Sequence, residues 1–584
     1  MGILVVQIVR FFLYLEVFVP TVAYQRHCPQ RKIPTGQSHN RSSSFMTKDT
    51  WNHESIQDNN TVERKLNIWP LDENNAKLLN EVHPKEWDMS EFAHDSAVVY
   101  DLVAIGAGAG GLVSSRQAAR RGAKSAMISA HLAGGDCLNV GCVPSKALIR
   151  CARMIREVKL AKENSEFGVK ISGEVEVDFE TIMERMRKLR AEIAPIDGHT
   201  RGKDIGVNVF QGFGRFIDHE TVEVEPMQHD ANPDQNNKEP IRLKFKKAAI
   251  CTGGRAKIPS DIPGLNSSPF VTNETLFNLT KLPKRMVILG SGVVALEMAQ
   301  TFATFGSEVI VLVRSNTLFP RGDSDAGPLI QKCLEESGNV KFLMNARLEN
   351  VETLHKPTNQ SELPLMQLKV EVGNGIENID FVDCLLVAAG RIPNVEGMNL
   401  EAANIAYDVE KGILVDDNAR SISNPNVYSV GDCTSGVPRL THMSGEMAKV
   451  CVQNALFEDD WKLSSLVVPS TMYTEPEFAS VGVTMEDTNT EVFKASLEHN
   501  DRAILDSDRE GYVKIFCDKN TGKIMGCSII ASRAGEMINE VTLAMKYGLT
   551  LEQIGRNIHC YPTISESVMS CGIQKINSKW KVLN

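Results

Sequence analysis

Apolar positions along the chain alternate between short β-rich runs and longer stretches with helical spacing, and the order of these runs carries the first expectations. Ala97 to Ile105 is a β-rich run that leads straight into Gly106-Ala-Gly108-Ala-Gly-Gly111 and then a helical stretch from Leu112 to Arg121. Lys124 to Ser129 reads as the following strand. Lys281 to Leu289 begins the same pattern again: a strand, the turn Gly290-Ser-Gly292-Val-Val-Ala295, a helix carrying Glu297, and a strand from Val309 to Val313. Strand, glycine turn and helix in that order is the context in which a glycine motif predicts dinucleotide binding. From about Leu466 the pattern changes to strands, Phe478 to Val483 and Gly511 to Phe516, followed by a helix over Ala534 to Tyr547. The expected fold class is α/β, with two Rossmann-like dinucleotide-binding domains followed by a C-terminal α+β domain.

The segments between these runs place the boundaries. The first strand–turn–helix unit is expected within residues 97–255, the second within 256–384 and the strand-rich C-terminal domain within 461–584, with 385–460 as the segment between the last two. Pro226 to Glu239, polar with two prolines, reads as a hairpin insertion. Residues 1–96 read as a targeting leader and linker. An apolar run from Ile3 to Ala23 is interrupted by Arg10 and Glu16 and exits at Thr-Val-Ala, which is the pattern of a signal peptide over 1–23 rather than of a stable membrane span. Residues 24–48 are basic and Ser-rich, with Arg26, Arg31, Lys32 and Arg41, as a transit peptide is. Together they predict an organelle, with a plastid reached in two steps ahead of direct mitochondrial import, a membrane-anchored form or a different start codon. Thr50 to Ser96 shows no sustained period and reads as a linker that packs loosely on the first dinucleotide domain.

Composition narrows the partners. The 584 residues suffice for three or four domains, and the formal charge of −10 supplies no basic surface for nucleic acid or anionic lipid. The thirteen cysteines are an odd number, and Cys251, Cys384 and Cys451 sit singly inside apolar runs, which argues for reduced core thiols rather than a secreted disulfide framework.

The two glycine turns carry chemistry. Gly106 permits the tight turn, Gly108 lets a pyrophosphate approach the backbone, and Gly111 lets helix and strand pack, while the helix N-terminus favours the anionic phosphates. Gly290, Gly292 and Ala295 fill these places in the second copy. Where an NADH enzyme places an acid for the ribose hydroxyls, this chain has Val313 followed by Arg314, with Arg321 seven residues on. Two guanidinium groups suit a 2′-phosphate, so NADPH is expected ahead of NADH, the alternative being two solvated surface arginines.

Between the turns, residues 134–146 read Gly-Gly-Asp-Cys-Leu-Asn-Val-Gly-Cys-Val-Pro-Ser-Lys and set Cys137 and Cys142 five positions apart. On spacing alone this is a redox pair, two unlinked buried thiols, or half of a zinc site. No second close-set pair lies nearby, so no metal is expected. The thirteen-residue string resembles the active-site signature of the class I pyridine nucleotide-disulfide oxidoreductases, the family of glutathione reductase, dihydrolipoamide dehydrogenase and mercuric reductase. The resemblance runs from about Asp101 to the C-terminus. It implies FAD in the first fold, held by Gly106, Gly108, Gly111, Ser129, Gly135, Lys146, Thr252, Gly253, Arg391 and Asp432. It implies the nicotinamide nucleotide in the second, with Gly290, Gly292, Ala295, Glu297, Arg314, Arg321 and Gly390. Thr252-Gly253-Gly254-Arg255 resembles the turn at which the chain leaves the flavin domain, and Gly390-Arg391-Ile-Pro393-Asn394 resembles the return crossing. Val427 to Asp432 resembles the strand whose aspartate bonds the flavin ribityl chain. The resemblance makes Cys142 the thiolate facing the flavin and Cys137 the thiol that attacks substrate. It puts Lys146 near the flavin, paired with Glu297, and sets Arg116 where glutathione reductases carry an arginine. Val468 to Glu477 resembles the opening of the family's dimerisation domain, which implies a homodimer whose partner completes each site. Leu71 to Trp87 resembles the stretch before the flavin domain in mercuric reductase-like proteins.

Two departures bear on function. Ser129 stands where the family has an acid for the adenosine ribose, and Tyr561, in Tyr561-Pro562-Thr563 with Glu566, stands where the family has its general base. Tyrosine, with an ordinary pKa near 10, is a poor proton acceptor at neutral pH. His559, two residues earlier, is the candidate substitute. Mercuric reductases also carry tyrosine at this place, but this chain has only Cys571 and Cys560 near its end and no N-terminal metal-binding CxxC. The leading expectation is an NADPH-dependent flavoprotein reductase of the mercuric reductase-like branch, acting on a small-molecule or metal-thiolate substrate. The alternatives are a glutathione- or dihydrolipoamide-type disulfide reductase, and a flavin-binding redox sensor or scaffold without turnover.

Overall fold

The computed structural model describes residues 67–89, 98–227, 239–359 and 362–580, all within one compact unit, Trp51–Asn584. The signal-like and transit-like segments lie outside the described residues, and so does most of the expected hairpin insertion, whose flanking strands Thr221–Pro226 and Ile241–Ile250 pair antiparallel. Among the described residues no helix is long and apolar enough to cross a membrane.

Three sheets organise the chain. In the first, five strands run parallel in the order Val207–Asp218, Ser125–Ser129, Val99–Ile105, Ile241–Ile250, Val427–Ser429. Thr221–Pro226 runs antiparallel between Val207–Asp218 and Ile241–Ile250. Val99–Ile105 is central and buried along most of its length, as a parallel strand with both faces covered must be. The second sheet is parallel throughout, ordered Val340–Met344, Glu308–Val313, Arg285–Leu289, Cys384–Val387, with an antiparallel layer of Ala346–His355, Leu365–Val372 and Gly375–Val382 attached. Both sheets reverse strand order beside their first strand, and that switch point is where open α/β sheets bind ligands. The two crossings between them, Gly254–Ala256 and Arg391–Pro393, pair antiparallel with each other. The third sheet is antiparallel, ordered Ser470–Met472, Glu477–Gly482, Ile524–Ala531, Tyr512–Asp518, Thr490–Ser496. Helices Ala534–Lys546 and Glu566–Asn577 cover it and share its core.

The helix that begins at Cys142 ties the first sheet to the second. Cys142–Glu163 buries Ala147, Leu148 and Ala152, which share one apolar core with Phe179, Met183 and Met186 of helix Phe179–Asp197 and with Leu296, Ala299 and Phe302 of helix Val293–Phe305. Phe179, Phe302 and Phe305 meet with ring centroids 6.0–6.1 Å apart. Helix Val293–Phe305 is buried on nearly every side, so its polar members, Glu297 and Gln300 among them, require partners.

Residues 67–89 are not the loosely packed linker that their missing period predicts. Asp72 caps helix Glu73–Val82 by accepting from the Asn75 backbone N–H at 2.8 Å. Leu78 and Val82 are fully buried against Leu112, Met127, Leu138 and Val209. Trp87 donates its indole N–H to the Val209 carbonyl at 2.8 Å and stacks at a tilt on His199, with centroids 5.3 Å apart. A helix of ten residues holds too few turns for its apolar stripe to register as a period. Leu78→Ala is expected to cost ~2–5 kcal/mol of stability in chemical denaturation, as a fully buried leucine does; a loss under ~0.5 kcal/mol, the size of a surface change, would restore the loose-linker reading.

Candidate active site

The two features that the sequence marks separately, a glycine turn and a cysteine string, form one surface. Cys137 lies on the short helix Gly135–Asn139, and Cys142 opens the 22-residue helix after it. Gly135 has φ +57°, and a Cβ on it would stand 2.7 Å from the Cα of Gly108, so the string and the first glycine turn touch back to back. Gly141 caps the long helix without a side-chain bond, and Cys142 is the first helical residue, at the positive end of the helix dipole. Pro144 in that turn forfeits an N–H that would have had no partner.

Both thiols are half-buried and neither is in a disulfide. The Cys137 thiol's hydrogen bond to its sulfur lowers the Cys142 pKa to about 6 against the opposing effect of burial, and the Thr441 hydroxyl and the Lys146 charge add to the lowering. The Thr441 Oγ1 lies 3.3 Å from the Cys142 Sγ. The same hydrogen bond, with burial, pushes the Cys137 thiol up. One sulfur is thus the thiolate of the pair and the other keeps its proton.

Lys146, one turn along the helix, donates to both oxygens of Glu297 at 3.0 and 2.8 Å. The Glu297 side chain is 3% exposed and also accepts the Tyr473 backbone N–H at 2.9 Å, while the Lys146 ammonium lies 4.5 Å from the centre of the Tyr473 ring. The structure therefore brings Cys137, Cys142, Lys146 and Glu297 together. Sequence reasoning assigned no role to Thr441 or Tyr473: Thr441 stands in no motif, and Tyr473 lies in the Val468–Glu477 stretch, which was read only as the opening of the dimerisation domain.

A second ion cluster lies beside the cysteines. Arg391 is bonded to Asp136, to Asp432 at 3.2 Å and to the Gly254 carbonyl at 2.6 Å. Asp136 was also missed: it stands inside the cysteine string, but its partner Arg391 comes from the return crossing 255 residues on. Thr252 donates to the Asn394 carbonyl at 2.6 Å, and the Asn394 N–H returns a bond to Gly253, closing the crossing. Ser129 is fully buried and donates to the His131 carbonyl at 3.1 Å.

On the second sheet, Gly290 has φ +120° and a Cβ there would meet the Ala388 carbonyl at 2.4 Å, while a Cβ on Gly292 would meet nothing within 4 Å. The open approach at Gly292, at the start of helix Val293–Phe305, is what a diphosphate needs, and Ala295 is buried beneath it. Arg314 and Arg321 are exposed and free for an anion, and Gly390 is exposed with φ +119°. These residues fit a dinucleotide on each sheet.

The C-terminal residues are arranged differently from the sequence expectation. Tyr561 is 72% exposed and donates to Asp501 at 2.9 Å, which raises its pKa further. Glu566, expected to hold Tyr561, accepts the Thr563 N–H instead at 3.0 Å. The His559 ring is nearly buried against Glu540 at 2.9 Å. Cys571 is a core thiol bonded to the Phe493 and Val513 carbonyls, and Cys560 is exposed. Arg116 is buried and donates to the Ile196 carbonyl at 2.7 Å, a structural role. Among the described residues no cluster of three or more His, Cys, Asp or Glu could hold a metal ion.

Parallel sheets with glycine turns at their switch points and a thiolate–thiol pair between them define a dinucleotide-dependent redox protein. Residues 100–448 match the pyridine nucleotide-disulphide oxidoreductase family and residues 468–571 match its dimerisation domain, so the chain belongs to that family of flavoprotein oxidoreductases. It is 31% identical over 490 residues to a mercuric reductase of Lysinibacillus sphaericus, covering 83% of this chain and 84% of that one. It is 34% identical over 492 residues to the mitochondrial dihydrolipoyl dehydrogenase 1 of Arabidopsis thaliana, covering 82% and 90%. A solved structure of the Cu(II) complex of the HOCl-induced flavoprotein disulfide reductase RclA from Escherichia coli superposes with a TM-score of 0.68 at 26% identity, covering 82% of this chain and 99% of that one.

In reduced protein, alkylation of Cys142 by iodoacetamide is expected to rise with a midpoint near pH 6, while Cys137 stays unreactive until far more alkaline pH. Thr441→Val should move the Cys142 midpoint up by roughly half a unit to one unit by removing one hydrogen bond to the thiolate. Peptide mass spectrometry across a pH series reads both; coincident profiles for the two cysteines would contradict the assignment.

Proposed function

We propose that the protein passes electrons from NADPH through FAD to a Cys137–Cys142 disulfide and on to a thiol-bound substrate, in the manner of a mercuric reductase-like enzyme working on a metal-thiolate. The observation that carries this reading is the split pair of thiols: Cys142 held low beside Thr441 and Lys146, Cys137 held high beside it. FAD, when bound, supplies the two-electron relay between the nicotinamide and the sulfur pair. The chain's own residues do the rest. The turns at Gly106, Gly108 and Gly111 and at Gly290 and Gly292 admit the two diphosphates, and Asp432, bonded to Arg391, would take the flavin ribityl chain. Arg314 and Arg321 are free to take a 2′-phosphate. Cys142 remains the thiolate, and when Cys137 exchanges with substrate its proton passes to solvent as the displaced thiolate leaves. The ion pair of Lys146 with Glu297 fixes the start of the helix against the second sheet, so Cys142 keeps its position through the cycle.

Tyr561 supports the metal-thiolate reading. Its hydroxyl donates to Asp501 and resists deprotonation, so it does not serve as a base at neutral pH. Exchange of a metal between thiolates needs no proton delivered to a leaving sulfur, whereas reduction of an organic disulfide does. One observation favours a second reading, a glutathione- or dihydrolipoamide-type reductase: the nearly buried His559 imidazole paired with Glu540 is the arrangement of an oriented base. The identities to a mercuric reductase and to a dihydrolipoyl dehydrogenase, 31% and 34%, accommodate either. A homodimer through residues 468–571 and an organellar address, plastid ahead of mitochondrion, complete the proposal.

Steady-state assays decide between the substrates. Hg(II) held by excess thiol should support NADPH oxidation, with lipoamide and oxidised glutathione slower by about 10²-fold or more, the contribution a general base makes. Fast lipoamide turnover abolished by His559→Gln would establish the second reading instead. Arg314→Ala or Arg321→Ala should raise the KM for NADPH about tenfold and leave that for NADH unchanged, as loss of one charged hydrogen bond requires; equal effects on both nucleotides would remove the 2′-phosphate role.

A further inference from the structure

Asn139 lies between the two cysteines at the end of the short helix Gly135–Asn139, so its carbonyl is one of those a helix end leaves without a backbone partner. That carbonyl accepts from Arg190 Nη1 at 2.6 Å. Arg190 is fully buried, and its Nη2 donates to the Asn75 Oδ1 at 2.7 Å, while its Nε has no partner. Asn75, also fully buried, belongs to helix Glu73–Val82 and is fixed in turn by donating its amide to the Pro70 carbonyl at 2.7 Å. The same segment holds the other end of the cysteine loop: the Ala133 N–H donates to the Val82 carbonyl at 2.9 Å. Asn139 closes the figure, its side-chain amide donating to the Ala133 and Gly135 carbonyls at 2.9 Å each. On the outer side Arg187 donates to Asp72 at 2.5 Å and pins the start of the helix.

A buried guanidinium is costly unless hydrogen-bonded, and the two bonds that Arg190 makes join the N-terminal segment to the loop that carries both cysteines. We infer that residues 67–89 are a scaffold for the cysteine pair, with Asn75 and Arg190 as positioning residues that set the Asn139 carbonyl and through it the separation of Cys137 from Cys142. The inference rests on the proposed redox role of those cysteines. It also limits maturation: a cleavage that removed Asn75 with the leader would take the clamp away.

The test uses the full chain with flavin bound and reads amide hydrogen exchange by mass spectrometry together with the pH profile of Cys142 alkylation. Asn75→Ala should speed exchange across residues 134–142 about tenfold or more, as expected when a charged hydrogen bond that restrains local opening is lost, and should shift the Cys142 midpoint. Asn75→Asp, whose carboxylate still accepts from Arg190 but can no longer donate to the Pro70 carbonyl, should bring both part of the way back toward the wild-type values. If Asn75→Ala does not fold, Asp72→Asn, which keeps the helix cap but weakens the Arg187 pair, should speed the same amides about threefold. Faster exchange confined to residues 73–82, with 134–142 and the Cys142 midpoint unmoved, would overturn the positioning role. Failure of the redox reading is separately visible: oxidised wild-type protein would then yield no Cys137–Cys142 disulfide on peptide mapping, whatever the exchange data show.

Discussion

Glu297 is a carboxylate 3% exposed in a helix buried on nearly all sides, and its ion pair with Lys146 is the contact on which the rest of the arrangement depends. Lys146 belongs to the helix that starts at Cys142, Glu297 to the first helix of the second sheet, and the Tyr473 N–H that completes the carboxylate's bonding to the third sheet's edge. Only the carboxylate of the pair is buried, so removing Lys146 would leave it one cation short and the loss is greater than that of a surface pair; the contact joins the three sheets where the cysteines lie. The pattern repeats one turn further along: Gln300 exchanges hydrogen bonds with the Glu475 backbone at 2.8 Å, and the Glu475 side chain accepts from Arg153 and Arg156, both on the cysteine-bearing helix. Apolar packing alone would let these helices slide; the polar rungs do not.

That fixed register lets one sulfur differ from the others. Burial drives Cys251, Cys384, Cys451 and Cys527 upward, the ordinary fate of a thiol in a core. Burial pushes on Cys142 in the same direction, yet it moves down, because Cys137, Thr441 and Lys146 all stabilise its charged form. A nucleophile and an inert core thiol are therefore separated by what faces the sulfur rather than by depth alone.

The two strand–turn–helix units were legible in the sequence, because a strand, a glycine turn and a helix leave a period that survives without tertiary context; the antiparallel layer Ala346–His355, Leu365–Val372 and Gly375–Val382, which lacks such a turn, was not. The cysteine string was legible for the same reason, being local. What could not be read is what the fold imports from afar. Thr441 and Tyr473 reach the site from segments some three hundred residues along the chain, and no spacing announces them. Helix Glu73–Val82 escaped because its three buried residues, Asn75, Leu78 and Val82, include a polar one whose purpose is visible only beside Arg190. Glu566 was placed beside Tyr561 only by the family resemblance, and its carboxylate accepts the Thr563 N–H, a bond to a neighbouring backbone amide.

Anaerobic titration of the full chain with NADPH, followed in the visible spectrum, tests the central claim most directly. The account predicts a yellow protein that develops a broad long-wavelength thiolate-to-flavin band as the disulfide is reduced, a band absent from Cys142→Ser and retained in Cys137→Ser. A flavin that NADPH reduces without that band, or a band that survives Cys142→Ser, would contradict the assignment of Cys142 as the thiolate and of the pair as the electron carrier.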